Sequence, residues 1–285
     1  MKQNVLLKKK NGAALAAVLV VVTALALAAC GGKKDAPAAE QVVRIGLVGE
    51  ELRAPWTRVA DNLAAEGIKI ELVNFSDYAV PNRALADGEI ELNAFQHDAF
   101  LQDEIANHNY PISAFGNTVV FFLGVYSHKI KSLDELKNGD TVVIMNDATN
   151  GGRALKVLET AGVFTLDPAK GNAPTVADIV TNPKNIKIVE VDAANTYRTL
   201  DDPQVAAAVV NSTFVIDAGG VPDKDAIYIK PIDSVSDKPY INLVVGKNAD
   251  KNNETLKKIV AAFQTDEIAG VIKNEPALLG ALPAW

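Results

Sequence analysis

Cysteine occurs once in the 285 residues, histidine three times, and methionine and tryptophan twice each. One cysteine excludes a disulfide within the chain. His97, His108 and His128 lack the spacings that place two ligands on one helix face, so no metal centre is expected. There is no Gly-x-Ser-x-Gly elbow and no phosphate loop, and Gly151-Gly152 alone is too short to count as one. With nucleophile, base and metal ligands all scarce, an enzyme is not expected, and no cofactor is implied. Basic side chains are outnumbered 28 to 35. That balance argues against nucleic acid as a partner, because a phosphate backbone demands a basic face. A long apolar run is found in one place only, near the start.

That run reads in three parts. Lys2, Lys8, Lys9 and Lys10 precede an unbroken small-apolar stretch from Ala13 to Ala28, the length of a signal-peptide core and short for a membrane span. It ends in Leu27-Ala28-Ala29-Cys30, small residues before a cysteine, as a lipoprotein signal peptidase requires. Residues 1–29 are therefore expected to be a signal peptide, Cys30 the lipidated residue, and 30–41 a flexible linker. Two or three acyl chains on one cysteine hold a protein firmly, at about 0.8 kcal/mol per buried methylene. The mature chain is expected on the extracytoplasmic face of the cell membrane, anchored through Cys30. Loss of the signal segment removes four lysines from a chain whose net charge is already −7.

From Val42 onward, short β-type runs alternate with helical patterns, which points to α/β architecture with largely parallel sheets. Strands are expected at Val42 to Val48, Ile68 to Leu72, Ile90 to Ala94, Thr141 to Met145, Ile186 to Val191, Ala206 to Val210 and Ile241 to Gly246. Helices are expected at Trp56 to Glu66, Pro81 to Asp87, Asn150 to Ala161, Glu254 to Phe263 and Asp266 to Lys273. Others are expected from Ser132, near Ala193 to Leu200 and near Thr213 to Ala218. Gly67, Gly88 and Gly162 suit the left-handed turn that closes a helix. The pattern fits two lobes with a cleft between them, residues 42–127 plus 232–285 forming one and 128–231 the other. Crossovers near Ser127 and Ile232 then form the hinge.

Several segments at strand or helix ends carry polar and aromatic residues that a core would not select: 74–78, 95–100, 146–155, 210–214 and 238–242. In open α/β lobes, ligands bind beyond the carboxyl ends of strands, so these segments are candidates to converge on the cleft. Taken alone, each residue also has a structural reading: a paired charge for Arg153, a hydrogen-bonded core group for His97, a cap for Asn150.

The runs from Phe75 to Glu89, Asn93-Ala-Phe-Gln-His97, Asn146 to Leu155 and Pro239-Tyr-Ile-Asn242, with a closing aromatic at Trp285, resemble the methionine-binding lipoproteins of bacterial ABC importers over the whole mature chain. The resemblance implies a two-lobed, periplasmic-binding-protein-like fold of type II. It implies an L-methionine carrier of a class that works as a monomer, with a membrane permease and a cytoplasmic ATPase as partners; these follow from the likeness alone and not from composition. D-methionine or a methionine-containing dipeptide is the nearest alternative, and a surface-anchored adhesin or a lipid-anchored hydrolase are the alternatives of another class. By the same carry-over Arg153 takes the ligand carboxylate, while Asn150, Asn211 and Asn242 bond its amino and carboxylate groups. Tyr78, Phe95, His97 and Phe100 form the side-chain pocket. The chain departs from the family in having Phe100 where many relatives carry tyrosine, and Ala148 in place of a common proline.

Overall fold

A computed structural model describes residues 41–278 and 281–285. The expected signal segment, Cys30 and most of the expected linker lie outside the described residues. The chain opens with β1 (Gln41–Val48), α1 (Arg53–Ala64), β2 (Ile68–Phe75), α2 (Pro81–Asp87), β3 (Leu92–Asn93), α3 (Asp98–His108) and β4 (Ile112–Val120). A second group follows: β5 (Leu123–Tyr126), β6 (Thr141–Met145), α4 (Ala148–Thr160), β7 (Thr165–Leu166), β8 (Ile179–Thr181), β9 (Lys187–Val191), β10 (Val205–Asn211), α5 (Ser212–Asp217), α6 (Pro222–Asp225) and β11 (Ala226–Ile229). The chain ends with β12 (Ile241–Lys247), α7 (Glu254–Phe263), α8 (Asp266–Asn274) and β13 (Leu282–Pro283). Among the described residues no helix is long and apolar enough to cross a membrane.

Two main sheets result, in the orders β13-β4-β12-β3-β1-β2 and β11-β5-β10-β6-β9. Each is mixed rather than largely parallel. β1 runs parallel to β2 and β3, and β6 runs parallel to β9 and β10. The antiparallel strands are those next to the passages between lobes: β12 against β4, and β5 against both β10 and β11. The reason is connectivity, since β4 leaves the first lobe where β12 enters it, and β5 enters the second where β11 leaves it. The first passage is the short Phe121-Phe122 link and the second is residues 230–240. The first lies one strand ahead of Ser127, because β5 continues the apolar run of β4 without a polar break.

Each lobe has its own core. Ile45, Leu47, Trp56, Val59 and Phe263 pack together on one face of the first sheet, and Leu85, Ile90, Leu101 and Val245 on another part of it. The second core is built from Val142 to Met145, Leu155, Leu158 and Ala207 to Val210. Trp56 is fully buried, with its ring centroid 4.6 Å from that of Phe263, which ties α1 to α7.

Local chemistry decides where helices form and stop. Gly67, Gly88 and Gly162 all have positive φ, at 77°, 81° and 77°, and each follows a helix as expected. The helix expected from Ser132 is only a 3₁₀ turn, Leu133–Glu135. Leu136 is already extended there, and the chain must reach β6 within a few residues. Ala193 to Leu200 forms two 3₁₀ turns instead of one helix. Thr196 and Thr199 each donate a hydroxyl to the carbonyl three residues back, at 2.8 and 2.6 Å, which favours the tighter turn.

Candidate functional site

The strand ends of both lobes meet around one small cavity. Tyr78, Phe95, His97, Phe100 and Asn242 line it from the first lobe, and Asn150, Arg153 and Asn211 from the second. The structure thus brings all eight expected site residues to one place. Their positions follow from the fold. Tyr78 lies in the turn after β2, Phe95 and His97 in the loop after β3, and Phe100 in the first turn of α3. Asn150 and Arg153 lie in the first turns of α4, Asn211 ends β10, and Asn242 lies near the start of β12.

Aromatic rings form the first lobe's wall. Tyr78 is 5.8 Å from Phe95 and 6.0 Å from Phe100, and Phe95 meets Phe100 edge-on at 6.0 Å. Behind Tyr78, Phe214 of the second lobe closes the cluster at 5.1 Å. Burial raises the pKa of the Tyr78 phenol, which keeps it neutral. His97 caps α3, its Nδ1 accepting from the Phe100 N–H at 3.1 Å. That bond makes Nε2 the protonated nitrogen of the neutral ring, and it donates to Asn150 Oδ1 at 3.3 Å, across the cleft. Burial, and then the charge of Arg153, pull the imidazole down to about 3, so the ring is uncharged at neutral pH. A buried network supports this loop from below, with Asn82 bonded to Gln96 and Asn93.

The second lobe presents a polar helix end. Asp147, not Asn150, is the cap of α4; its carboxylate accepts the backbone and side-chain N–H groups of Asn150 at 2.8 and 3.1 Å. Asn150 Oδ1 accepts from Asn211 Nδ2 at 3.1 Å as well as from His97. Asn211 Oδ1 is buried with no hydrogen-bond partner. An orphaned acceptor of this kind costs about 1–3 kcal/mol. Gly151 lets the helix start approach β6, because a Cβ there would lie 2.7 Å from the Met145 carbonyl oxygen.

Arg153 is buried, at 6% exposure. Its Nη2 donates to the Phe121 carbonyl at 2.6 Å, and its Cζ sits 4.4 Å over the Tyr240 ring. The closest ion-pair contact it makes is with Asp237 Oδ1 at 4.0 Å, while Asp237 Oδ2 is taken by Lys230 at 2.9 Å. Burial lowers the guanidinium's proton affinity, and Asp237 and Tyr240 oppose that. The group remains a cation with N–H donors to spare, held by both passages between the lobes and set at a helix N-terminus, where anions are favoured.

Sequence reasoning did not single out Glu51, Gln96, Phe121, Phe122, Ser212 and Thr213, which also line the cavity. Gln96, Ser212 and Thr213 lay inside segments marked as candidates. Glu51 and the two phenylalanines carried no local signal beyond, for Glu51, its place just after a strand. Among the described residues no cluster of His, Cys, Asp and Glu could hold a metal ion.

Comparison with known proteins places the chain. The model of the NlpA lipoprotein family matches residues 43–285. The D-methionine-binding lipoprotein MetQ of Salmonella typhimurium is 43% identical over 265 residues, covering 92% of this chain and 94% of the relative. A crystal structure of the methionine-binding protein MetQ superposes with a TM-score of 0.79 at 40% identity, over 86% of this chain and 98% of that one. A nutrient-binding protein from Burkholderia cenocepacia, solved bound to methionine, gives 0.77 at 36% identity, over 85% and 100%. The sequence match over nearly the whole described chain and the shared two-lobed fold lead to one conclusion: the chain belongs to the NlpA lipoprotein family.

Proposed function

We propose that this protein is the extracytoplasmic solute-binding subunit of an ABC importer, that it captures methionine between its lobes, and that it hands the amino acid to a membrane permease served by an ATPase. The observation that carries this reading is the Arg153 guanidinium, buried at the start of α4, 4.0 Å from its closest carboxylate and across the cavity from an aromatic wall. In this reading the ligand carboxylate takes the free N–H groups of Arg153. Its ammonium donates to the unpartnered Asn211 Oδ1, and its thioether lies among Tyr78, Phe95 and Phe100. Ligand contacts from both lobes favour the closed form. Micromolar capture requires only about −8.2 kcal/mol, which one buried ion pair, a bonded ammonium and one buried side chain can supply. The lipid on Cys30 keeps the protein at the outer membrane surface, where an importer's open face is within reach.

L-methionine is the first reading. D-methionine is the second, since relatives 42–43% identical to this chain are D-methionine-binding lipoproteins. The test is calorimetric titration of protein that has been unfolded and refolded to strip bound ligand, with L-methionine, D-methionine, glycyl-methionine and leucine. The expected result is 1:1 binding of L-methionine that is lost in Arg153→Ala. Preference for the D-isomer or the dipeptide keeps the transport role and changes the ligand. No heat with any of the four removes the methionine reading.

A further inference from the structure

The loop between β1 and α1 belongs to the first lobe by sequence but is seated on the second. Val48, its last strand residue, packs into the second lobe's core. Gly49 follows with φ of +65°, and a Cβ there would lie 2.6 Å from Thr213 Cγ2 and 2.8 Å from Asp217 Oδ2. Only glycine fits so close an approach at that backbone angle. The Glu50 N–H donates to Asp217 Oδ1 at 3.3 Å. Glu51, 5% exposed, accepts from Ser212 Oγ at 2.5 Å and from Thr213 Oγ1, the first two residues of α5. None of the ligand contacts assigned above uses this carboxyl group.

Its surroundings are poor in compensating charge. Asp217 on α5, the phenols of Tyr78 and Tyr126, and the two hydroxyls face it from the neighbouring elements, while Glu50 and Arg53 on its own segment pair with each other. Burial pushes the Glu51 carboxyl up to about 7; the bonds from Ser212 and Thr213 hold it down and Asp217 adds to the rise. We propose that Glu51 is an interlobe clasp, locking the β1–α1 loop onto the start of α5 as the lobes close, and that closure takes up a proton there. The clasp rests on the methionine-capture reading for its role in transport. With the lobes apart, the carboxyl meets water and returns to the ordinary range of about 4.3. The closed-state value is the higher one, so its contribution to closure is complete below the open-state value and is lost as pH rises through about 7. Methionine affinity therefore falls about tenfold per pH unit between roughly 5 and 7 and levels off above about 8.

The test is titration of L-methionine into the full-length protein in detergent, at several pH values and in buffers of different ionisation heat, which counts protons taken up per ligand bound. Uptake of about one proton is expected near pH 6, and none near pH 8.5. In Glu51→Gln, whose amide keeps partners for both hydroxyls without a titrating proton, uptake is absent throughout. Equal uptake in the parent and in Glu51→Gln overturns the clasp. The double substitution Ser212→Ala, Thr213→Val serves if Glu51→Gln does not fold: it removes the bonds that hold the carboxyl down, so uptake extends to higher pH, and an unchanged profile overturns the clasp as well. Absence of heat at every pH defeats the methionine reading alone. The clasp is then decided on the ligand-free protein by small-angle X-ray scattering: a more compact protein near pH 5 than near pH 8.5, with the difference lost in Glu51→Gln, supports the clasp, and equal dimensions at both pH values overturn it.

Discussion

The two walls of the cavity are built from opposite chemistry. The first lobe supplies Tyr78, Phe95 and Phe100, held by ring packing, with His97 held neutral beside them. The second supplies Asn150, Arg153 and Asn211, held by hydrogen bonds at the start of a helix. Ring packing is tolerant, because dispersion falls off gradually with small shifts. A buried cation and an orphaned acceptor are intolerant, because each lost bond leaves a desolvated group. The second wall is therefore expected to set whether an amino acid binds at all, and the first wall to set which one.

Replacing the strongest group of the polar wall should have the largest effect. Arg153→Met keeps the length of the side chain and removes the fork, and methionine affinity is expected to fall by about 2–5 kcal/mol. Titration of methioninamide alongside methionine sharpens the comparison, since the neutral amide should lose much less. An equal loss for both ligands would mean that Arg153 acts by packing alone. Asn211→Leu comes next, with an expected loss of about 1–3 kcal/mol. The same change should raise thermal stability of the ligand-free protein, because it removes a buried acceptor that has no partner. A gain in affinity would show that the ligand's ammonium lies elsewhere.

What could be read beforehand depended on how local the cause was. Pro81–Asp87, Thr141–Met145 and Glu254–Phe263 stand where the pattern put them, because a proline start, a β-branched run and an amphipathic stripe are all properties of neighbouring residues. α3 was not foreseen: only Phe100 and Leu101 among its residues are buried, too few to make a repeat. β5 was hidden because its apolar run continues that of β4, and only the passage between sheets separates them. The eight site residues came from the family likeness, and their convergence needed the fold. Glu51 escaped both routes, since its partner Ser212 lies 161 residues away and nothing near Glu51 in sequence records that contact.

The smallest effect tests the tolerant wall. Norleucine matches methionine in length and replaces the sulfur with a methylene, so the two ligands differ mainly in what the rings can do with a polarisable atom. A sulfur beside an aromatic edge contributes about 0.3–1.5 kcal/mol beyond area burial, which sets the expected preference for methionine at no more than about tenfold. Phe100→Leu keeps an apolar side chain in the first turn of α3 and removes one of the three rings. The preference should shrink while Arg153 still holds the carboxylate, so both ligands keep measurable affinity. If the substitution instead abolishes binding of both, Phe100 governs closure rather than selectivity, and the division of labour between the two walls fails at that residue.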